Sequence, residues 1–120
     1  MPYGQLFVIS APSGAGKTSL IAAAVESITD LAVSISHTTR CPRSGEKDGR
    51  DYHFVSTSEF QKLIESEALF EHAEVFSNFY GTSKRAVEAL LASGIDVILE
   101  IDWQGAAQVR QIAPEAVSIF

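Results

Sequence analysis

The chain has 120 residues, of which 46% are hydrophobic and 20% are charged, and its formal net charge is −6. This length suits one compact domain and can bury a core without cross-links. The acidic, evenly mixed charge argues against nucleic-acid or anionic-membrane binding as the main role, so a bound anion would need a focused pocket. A lone cysteine, Cys41, excludes a disulfide framework and a cysteine-based zinc site, and it predicts a cytoplasmic protein.

A short apolar run opens the predicted fold. Leu6–Ile9 is wholly apolar, as expected for a strand buried on both faces of a parallel sheet. The run is too short to span a bilayer, and no charged residues precede it as they would in a secretory signal. A helix rich in alanine, leucine and isoleucine is predicted over Thr18–Ser27, and a second strand over Ala32–Ser36.

The middle of the chain, residues 37–81, has shorter predicted elements and more polar aromatic residues. Ser56 and Glu59 have the spacing of a capping box, which predicts a helix that ends near Ser66. Short strands are predicted over Asp51–Val55, Phe70–Val75 and Asn78–Tyr80. We interpret this segment as an insertion carried by the sheet.

Helices and strands alternate again in the last third of the chain. Thr82 or Ser83 is expected to cap a helix that runs through Leu91 and stops at Gly94. Two strands and a helix follow, predicted over Asp96–Ile101, Val117–Phe120 and Gly105–Ile112. This alternation at both ends predicts a parallel α/β sheet formed by residues 1–36 and 82–120. Because the chain stops as a new strand starts, we expect it to be a segment of a longer protein.

The most specific motif lies between the first strand and the first helix. Residues 11–18 read Ala-Pro-Ser-Gly-Ala-Gly-Lys-Thr and match a phosphate-binding loop, with alanine in place of the usual first glycine. The glycines let backbone N–H groups face phosphate oxygens, Lys17 supplies a cation, and Thr18 offers a hydroxyl to Mg²⁺. A plain glycine-rich connection is the less specific alternative. The expected ATP phosphate site is Ser13, Gly14, Ala15, Gly16, Lys17, Thr18 and Ser19.

The insertion carries a second set of candidate binding residues. Arg40 and Arg43 flank a proline three residues apart, and two guanidinium groups at this spacing can converge on one phosphate dianion. Further polar and aromatic motifs follow in the ranges Gly49–Phe54, Phe70–Ala73, Asn78–Ser83 and Glu100–Gly105.

These motifs, in this order, resemble the guanylate kinase family in its bacterial form, over essentially the whole chain. The resemblance implies the fold of the nucleoside monophosphate kinases, with a parallel-sheet core and a GMP-binding insertion. It implies phosphoryl transfer from ATP to GMP with Mg²⁺. The chain matches only the N-terminal part of a typical member and ends before the lid, so the segment alone is expected to bind GMP better than it phosphorylates it.

The resemblance also assigns roles to individual residues. Lys17, Arg40 and Arg43 are the expected catalytic residues. The GMP phosphate would be held by Arg40, Arg43, Tyr52 and Tyr80, and the guanine base by Ser36, Glu71, Thr82 and Asp102. Glu100 replaces the family's more frequent aspartate near Mg²⁺, and its longer side chain is expected to act through a bridging water.

The choice of guanine has a physical basis in Glu71. A carboxylate can accept hydrogen bonds from both guanine N1–H and the exocyclic amine, whereas adenine presents an acceptor at N1. An unpaired buried charge costs about 1–3 kcal/mol or more, which allows discrimination of about one to two decades. No general base is needed, because the second pKa of a phosphate monoester is near about 6 and GMP is largely dianionic at neutral pH.

Other functions remain open from the sequence. A guanylate-kinase-like binding module would use the GMP site for a phosphopeptide, but such modules typically lack the intact loop residues Gly16, Lys17 and Thr18. A kinase for another nucleotide, or a generic phosphate-loop ATPase, is a third class, against which Glu71 argues. A fragment that only binds GMP is the remaining alternative.

Several residues are expected to be structural. His37, His53 and His72 lack a metal-ligand spacing, and Cys41 is expected to be a spectator thiol. A hydrophobic core is expected to contain Phe7, Phe54, Phe60, Phe70, Phe76 and Trp103.

Overall fold

The computed structural model describes residues 3–10, 17–101 and 103–119. The strands are β1 (Leu6–Ile9), β2 (Leu31–Val33), β3 (His37–Thr38), β4 (His53–Phe54), β5 (Leu69–Val75), β6 (Asn78–Ser83), β7 (Asp96–Glu100) and β8 (Val117–Ile119). The helices are α1 (Lys17–Ser27), α2 (Thr57–Glu65), α3 (Lys84–Ala92) and α4 (Trp103–Ile112). The chain divides into two compact units, one formed by Met1–Ser34 with Ala86–Phe120 and the other by Ile35–Arg85.

The first unit contains a parallel four-stranded sheet in the order β2-β7-β1-β8. Central strands β1 and β7 pair in register, with Val8 beside Leu99, and both of these side chains are fully or almost fully buried. Apolar strands of this kind are buried on both faces in parallel α/β sheets, so the fold class predicted from the sequence is confirmed. None of the described helices has the length and hydropathy needed to cross a bilayer.

The second unit contains a mixed sheet in the order β4-β3-β6-β5. β3 runs parallel to β4 and antiparallel to β6, and β5 and β6 form a hairpin. The capping box predicted for α2 is confirmed, because Ser56 Oγ accepts from the Glu59 N–H at 3.1 Å and Glu59 Oε1 accepts from the Ser56 N–H at 3.1 Å. α2 supplies the buried Phe60, which is only 1% exposed.

Gly81 allows α2 to approach the sheet of this unit closely. A Cβ atom at position 81 would lie 2.9 Å from Leu69 Cδ1, 3.0 Å from the Glu71 carbonyl oxygen and 3.1 Å from Phe60 Cζ. The ring of Phe79, two residues earlier on β6, also stacks on Phe60 with centroids 5.6 Å apart. Residues 79 and 81 therefore lie on the face of β6 that α2 covers.

Some sequence expectations were wrong about individual positions. Phe76 is 95% exposed and Trp103 is 74% exposed, so neither belongs to the core. Phe76 lies with Ser77 in the two-residue turn of the β5–β6 hairpin, and Trp103 is the first residue of α4. Of the two residues expected to cap α3, Thr82 lies within β6, where its hydroxyl bonds to Glu71, whereas Ser83 directly precedes the first residue of the helix.

Element boundaries account for the remaining differences. β2 ends at Val33, three residues before the predicted end, and the two-residue strand β3 was not predicted. Gly94, with φ 85°, follows α3 as expected for a residue that ends a helix.

Candidate functional site

Several of the predicted GMP-binding residues share one face of β6. Tyr80 and Thr82 alternate along β6 with Phe79 and Gly81, whose face packs on α2. Successive side chains on a strand point to opposite faces, so Tyr80 and Thr82 lie on the face that α2 does not cover. In register, Tyr80 lies opposite Thr38 on one side and Ala73 on the other, and Thr82 lies opposite Glu71.

A buried hydroxyl–carboxylate pair lies on this face. The Thr82 hydroxyl donates a hydrogen bond to Glu71 Oε1, and the two residues are 1% and 4% exposed. Buried carboxylates are rare unless their oxygens are hydrogen-bonded, so Thr82 is part of what makes a carboxylate tolerable at this depth. A carboxylate held in this way can accept two adjacent N–H donors of a ligand.

An arginine–tyrosine cluster lies on the same sheet. The Arg40 guanidinium is centred 5.2 Å above the Tyr52 ring, and the rings of Tyr52 and Tyr80 meet edge to face with centroids 6.0 Å apart. A side-chain hydrogen bond with Glu46 raises the pKa of Arg40 above its usual value, and hydrogen bonds with Tyr52 and Tyr80 act in the same direction. The cluster therefore places a cationic donor beside two phenol hydroxyls, each of which can donate a hydrogen bond.

Glu46 joins this cluster to the turn that carries Arg43. Its Oε1 and Oε2 each lie 3.0 Å from the Arg40 guanidinium, at Nη1 and Nη2. The same Oε1 accepts the backbone N–H of Arg43 at 2.7 Å. These hydrogen bonds, the one to Arg40 first, hold the pKa of Glu46 below its ordinary value. The Glu46 carboxylate thus remains ionised and holds two parts of the segment at once.

The turn at residues 43–46 has a backbone conformation that its glycine makes recognisable in the sequence. The Glu46 N–H donates to the Arg43 carbonyl at 3.0 Å, and Gly45 between them has φ 85°. Turns that need a positive φ at the third position favour glycine there. The Ser-Gly-Glu order that follows Arg43 could therefore have drawn attention to Glu46, which the sequence analysis did not select.

Further hydrogen bonds order the rest of the loop between β3 and β4. Asp48 Oδ1 accepts the Phe54 N–H at 2.9 Å, and Asp51 Oδ2 accepts the Lys47 N–H at 2.8 Å. The Arg50 side chain donates to the Gly45 carbonyl at 2.7 Å and pairs with Asp51. Side chain to backbone bonds of this kind fix a loop without a regular ladder.

The other predicted site residues are distributed over both units. In the first unit, Ser13, Gly14, Ala15, Gly16 and Asp102 lie outside the described residues, and of Lys17, Thr18 and Ser19 only the helical backbone at the start of α1 is described. Glu100 ends β7, opposite Ile9 at the end of β1. In the second unit, the Ser36 carbonyl accepts the His53 N–H at 2.9 Å, and Arg43 is exposed.

Two histidines form a pair across β3 and β4. His37 and His53 lie opposite each other in register, and their ring centroids are 4.6 Å apart. His37 Nδ1 is buried and has no hydrogen-bond partner among the described residues. Burial lowers the pKa of His37, as does repulsion from His53, while Asp48 raises it less. The part of the chain that the structure describes holds no cluster of three or more metal-ligating side chains.

Three comparisons relate the chain to known proteins. A guanylate kinase of Saccharophagus degradans is 59% identical over 119 residues, which are 99% of this chain and 58% of that protein. One of Chromohalobacter salexigens is 61% identical over 117 residues, which are 98% of this chain and 54% of that protein. The crystal structure of guanylate kinase from Anaplasma phagocytophilum matches with a TM-score of 0.82 at 38% identity, over 100% of this chain and 60% of that chain.

The family comparison extends along nearly the whole sequence. The chain spans 54–60% of the length of the three proteins it matches above. The sequence model described as guanylate kinase matches residues 3–120. Because this match includes the insertion and both ends of the sheet as well as the phosphate loop, the chain belongs to the guanylate kinase family.

Proposed function

We propose that the protein is an ATP:GMP phosphotransferase, which transfers the γ-phosphoryl group of ATP to GMP and releases ADP and GDP. The observation that carries the proposal is the placement of two kinds of recognition group on one face of one sheet. The Arg40–Tyr52–Tyr80 cluster suits a phosphate, and the buried Glu71–Thr82 pair suits a purine edge with two adjacent donors. Membership of the guanylate kinase family supports this reading of the site.

The phosphate of GMP would bind at the arginine–tyrosine cluster. Arg40 and Arg43 provide positive charge, and the hydroxyls of Tyr52 and Tyr80 provide further donors to the phosphate oxygens. Neutralising this dianion matters because the nucleophile and the γ-phosphate of ATP are both anionic and repel each other. Catalysis then consists mainly of alignment and charge neutralisation, with a GMP phosphate oxygen attacking the γ-phosphorus as the bond to ADP breaks.

The guanine base would be selected by Glu71. Its carboxylate accepts from N1–H and from the exocyclic amine, while Ser36 is proposed to donate to O6 or N7 and Asp102 to accept from the amine. Thr82 was expected to donate to the base, but its one hydroxyl hydrogen is donated to Glu71, so Thr82 is proposed to act on the base through that carboxylate. The Thr82 hydrogen bond orients one carboxylate oxygen before any ligand arrives. A preoriented carboxylate binds with less loss of side-chain freedom than a mobile one.

The ATP phosphates would be held by Ser13, Gly14, Ala15, Gly16, Lys17, Thr18 and Ser19. The position of Lys17 as the first residue of α1 supports this assignment, because anions bind at helix N-termini. Mg²⁺ bound with ATP would neutralise charge on the β- and γ-phosphates. Thr18 and, through water, Glu100 are its proposed oxygen ligands; the half-buried carboxylate at the end of β7 fits the preference of Mg²⁺ for oxygen.

The two parts of the chain have different roles in this proposal. Residues 1–36 and 82–120 would form the ATP-binding core, and residues 37–81 the GMP-binding insertion. The division of the structure into two compact units, with boundaries after Ser34 and Arg85, supports this assignment. We further propose a cytoplasmic location, because ATP and GMP would have to be available together.

The proposed function can be tested by binding and by product analysis. Calorimetric titration with GMP, AMP, CMP and UMP is expected to show tightest binding of GMP. Incubation with ATP, Mg²⁺ and GMP, followed by chromatographic separation of nucleotides, is expected to give GDP only when both substrates are present, and turnover by the 120-residue segment alone is expected to be low. Equal affinity for GMP and AMP would overturn the proposal, and phosphopeptide binding without GDP formation would favour a binding module instead.

Lys17→Ala provides the matched control for the transfer step. Removal of the loop cation is expected to abolish GDP formation while GMP affinity and the circular dichroism spectrum remain those of the wild type. Loss of GMP binding or of the fold in this variant would show that Lys17 is structural.

A further inference from the structure

We infer that Glu46 is a positioning residue that fixes Arg40 and Arg43 relative to each other in the anion site. The inference rests on the proposed GMP-binding function and assigns a role to a carboxylate outside the predicted binding set.

The geometry of Glu46 is that of a bridge between the two arginines. It holds the Arg40 guanidinium through both carboxylate oxygens at 3.0 Å and accepts the Arg43 backbone N–H at 2.7 Å. The Glu46 N–H donates a hydrogen bond to the Arg43 carbonyl oxygen at 3.0 Å, so the side chain and the backbone of Glu46 together close the turn. Movement of the Arg40 guanidinium or of the Arg43 backbone would break a charge-assisted hydrogen bond.

The environment makes this pair stronger than an ordinary surface ion pair. The side chain of Arg40 is 10% exposed and that of Glu46 is 21% exposed. In the same loop, Arg50 and Asp51 form an ion pair whose side chains are 57% and 35% exposed. Exposed pairs are screened by water and contribute little, whereas a bidentate, partly buried pair restricts the guanidinium to one plane.

The bonding pattern also indicates how Arg40 can act on a phosphate while it stays on Glu46. Arg40 Nη1 donates to Glu46 Oε1 and to the Cys41 carbonyl, each at 3.0 Å, so both of its hydrogens are used. The guanidinium lies 5.2 Å above the centre of the Tyr52 ring, which restricts it further. The hydrogen bonds to Glu46 and to the Cys41 carbonyl do not use the second hydrogen of Nη2 or the hydrogen of Nε, so Arg40 can donate to a phosphate oxygen while both carboxylate oxygens of Glu46 hold it.

The test uses Glu46→Gln, which keeps the shape of the side chain. The amide has one acceptor oxygen, and its NH₂ group would face the donors of Arg40, so the fork cannot form. Calorimetry is expected to show GMP affinity about tenfold weaker, the loss of roughly one charge-assisted hydrogen bond, while guanosine affinity stays within about twofold of the wild type. Glu46→Asp, which keeps both acceptor oxygens, is expected to lose less GMP affinity than Glu46→Gln.

Asp51→Asn is the matched control. Asp51 is also a loop carboxylate that accepts a backbone N–H and pairs with an arginine, but it does not contact Arg40 or Arg43 in the described hydrogen bonds. This variant is expected to bind GMP and guanosine like the wild type. Equal losses of GMP and guanosine affinity in Glu46→Gln would indicate a merely structural role, and unchanged or tighter GMP binding would indicate competition with the phosphate; either result overturns the inference.

A ligand-free measurement separates this inference from the proposed function. In ¹⁵N NMR spectra assigned with Arg40→Lys, the guanidinium hydrogens of Arg40 are expected to exchange with water more slowly in the wild type and in Asp51→Asn than in Glu46→Gln and Glu46→Asp. A wild-type protein without GMP affinity would overturn the proposed function, and unaltered exchange in the Glu46 variants would overturn the hold of Glu46 on Arg40.

Discussion

Thr82 donates its hydroxyl hydrogen bond to Glu71 across the paired strands β6 and β5, and both side chains are almost completely buried. A neutral hydroxyl donor satisfies part of the hydrogen-bonding capacity of a buried carboxyl group without pairing it with a positive charge. The pair therefore has the properties required of a base-recognition group.

Glu71→Gln is expected to reduce the preference for GMP over AMP. The amide offers one acceptor and one donor pair, so it cannot accept from both guanine donors, and the ratio of the two affinities should fall by about one to two decades. Titration calorimetry with both nucleotides measures this ratio. Glu74→Gln, an exposed carboxylate on the same strand, is the control and should leave the ratio unchanged; an unchanged ratio in Glu71→Gln would shift the role of reader to Asp102.

Arg40→Ala is expected to weaken GMP binding by about 1.5–3 kcal/mol, the usual contribution of hydrogen bonds to a charged group. Guanosine, which has no phosphate, should bind as before. Arg50→Ala removes an arginine of the same loop that is exposed and paired with Asp51, and it should have little effect on either ligand. If Arg40→Ala binds GMP normally, the arginine–tyrosine cluster is not the phosphate site.

The free energy of unfolding is expected to decrease as the pH is lowered, because of His37. Its folded-state pKa lies below the usual 6.5, chiefly through burial and then through repulsion by His53, with partial opposition from Asp48. The unfolded chain therefore binds more protons once the pH drops below about 6.5, and folding loses stability as the pH falls toward the folded-state value. Urea denaturation at pH 7.5 and at pH 5.5 measures the loss.

Variants of the histidine pair identify the source of this pH dependence. His37→Asn should flatten the profile between these two pH values, and His53→Asn should reduce its slope by removing the repulsion. Identical slopes in the wild type and in His37→Asn would assign the effect to other groups.

The β5–β6 turn offers a route to a more stable protein. Phe76 and Ser77 have φ values of 49° and 67°, a conformation that costs non-glycine residues about 1–2 kcal/mol each. The double substitution Phe76→Asn with Ser77→Gly supplies the residues that two-residue hairpin turns favour and should raise the free energy of unfolding by about 1 kcal/mol or more. Ser58→Gly, in helix α2, makes the same change at an ordinary φ and should destabilise the protein instead.

The sequence predicted those elements whose local pattern and tertiary environment agree. The apolar run of β1 and the Ser56–Glu59 capping box of α2 have their predicted places because each is specified within a few residues. Strand β3 has only two residues and is formed by pairing with β4 and β6, which no local pattern encodes. Phe76 was expected in the core because it is aromatic, but its place in a two-residue turn leaves its side chain exposed, and the residue type alone does not indicate that place.

The candidate site was predictable to a similar extent. Arg40, Tyr52 and Tyr80 were selected from motifs, and the structure brings them together. Glu46 was missed because its importance depends on a backbone turn that brings its carboxylate to Arg40 and to the Arg43 N–H at once. Such a contact depends on three-dimensional closure of the loop and has no periodicity along the chain.

Gly81 has a consequence for engineering. Since Phe60 and Leu69 occupy the space where a side chain at position 81 would lie, redesign of this strand is confined to alternate positions. A library that varies residues 71, 80 and 82 tests the proposed ligand site without a steric conflict at position 81, whereas one that also varies residue 81 would place side chains against Phe60 and Leu69. The absence of a Cβ atom on the face of β6 that packs against α2 therefore limits the substitutions that a designer can make along this strand.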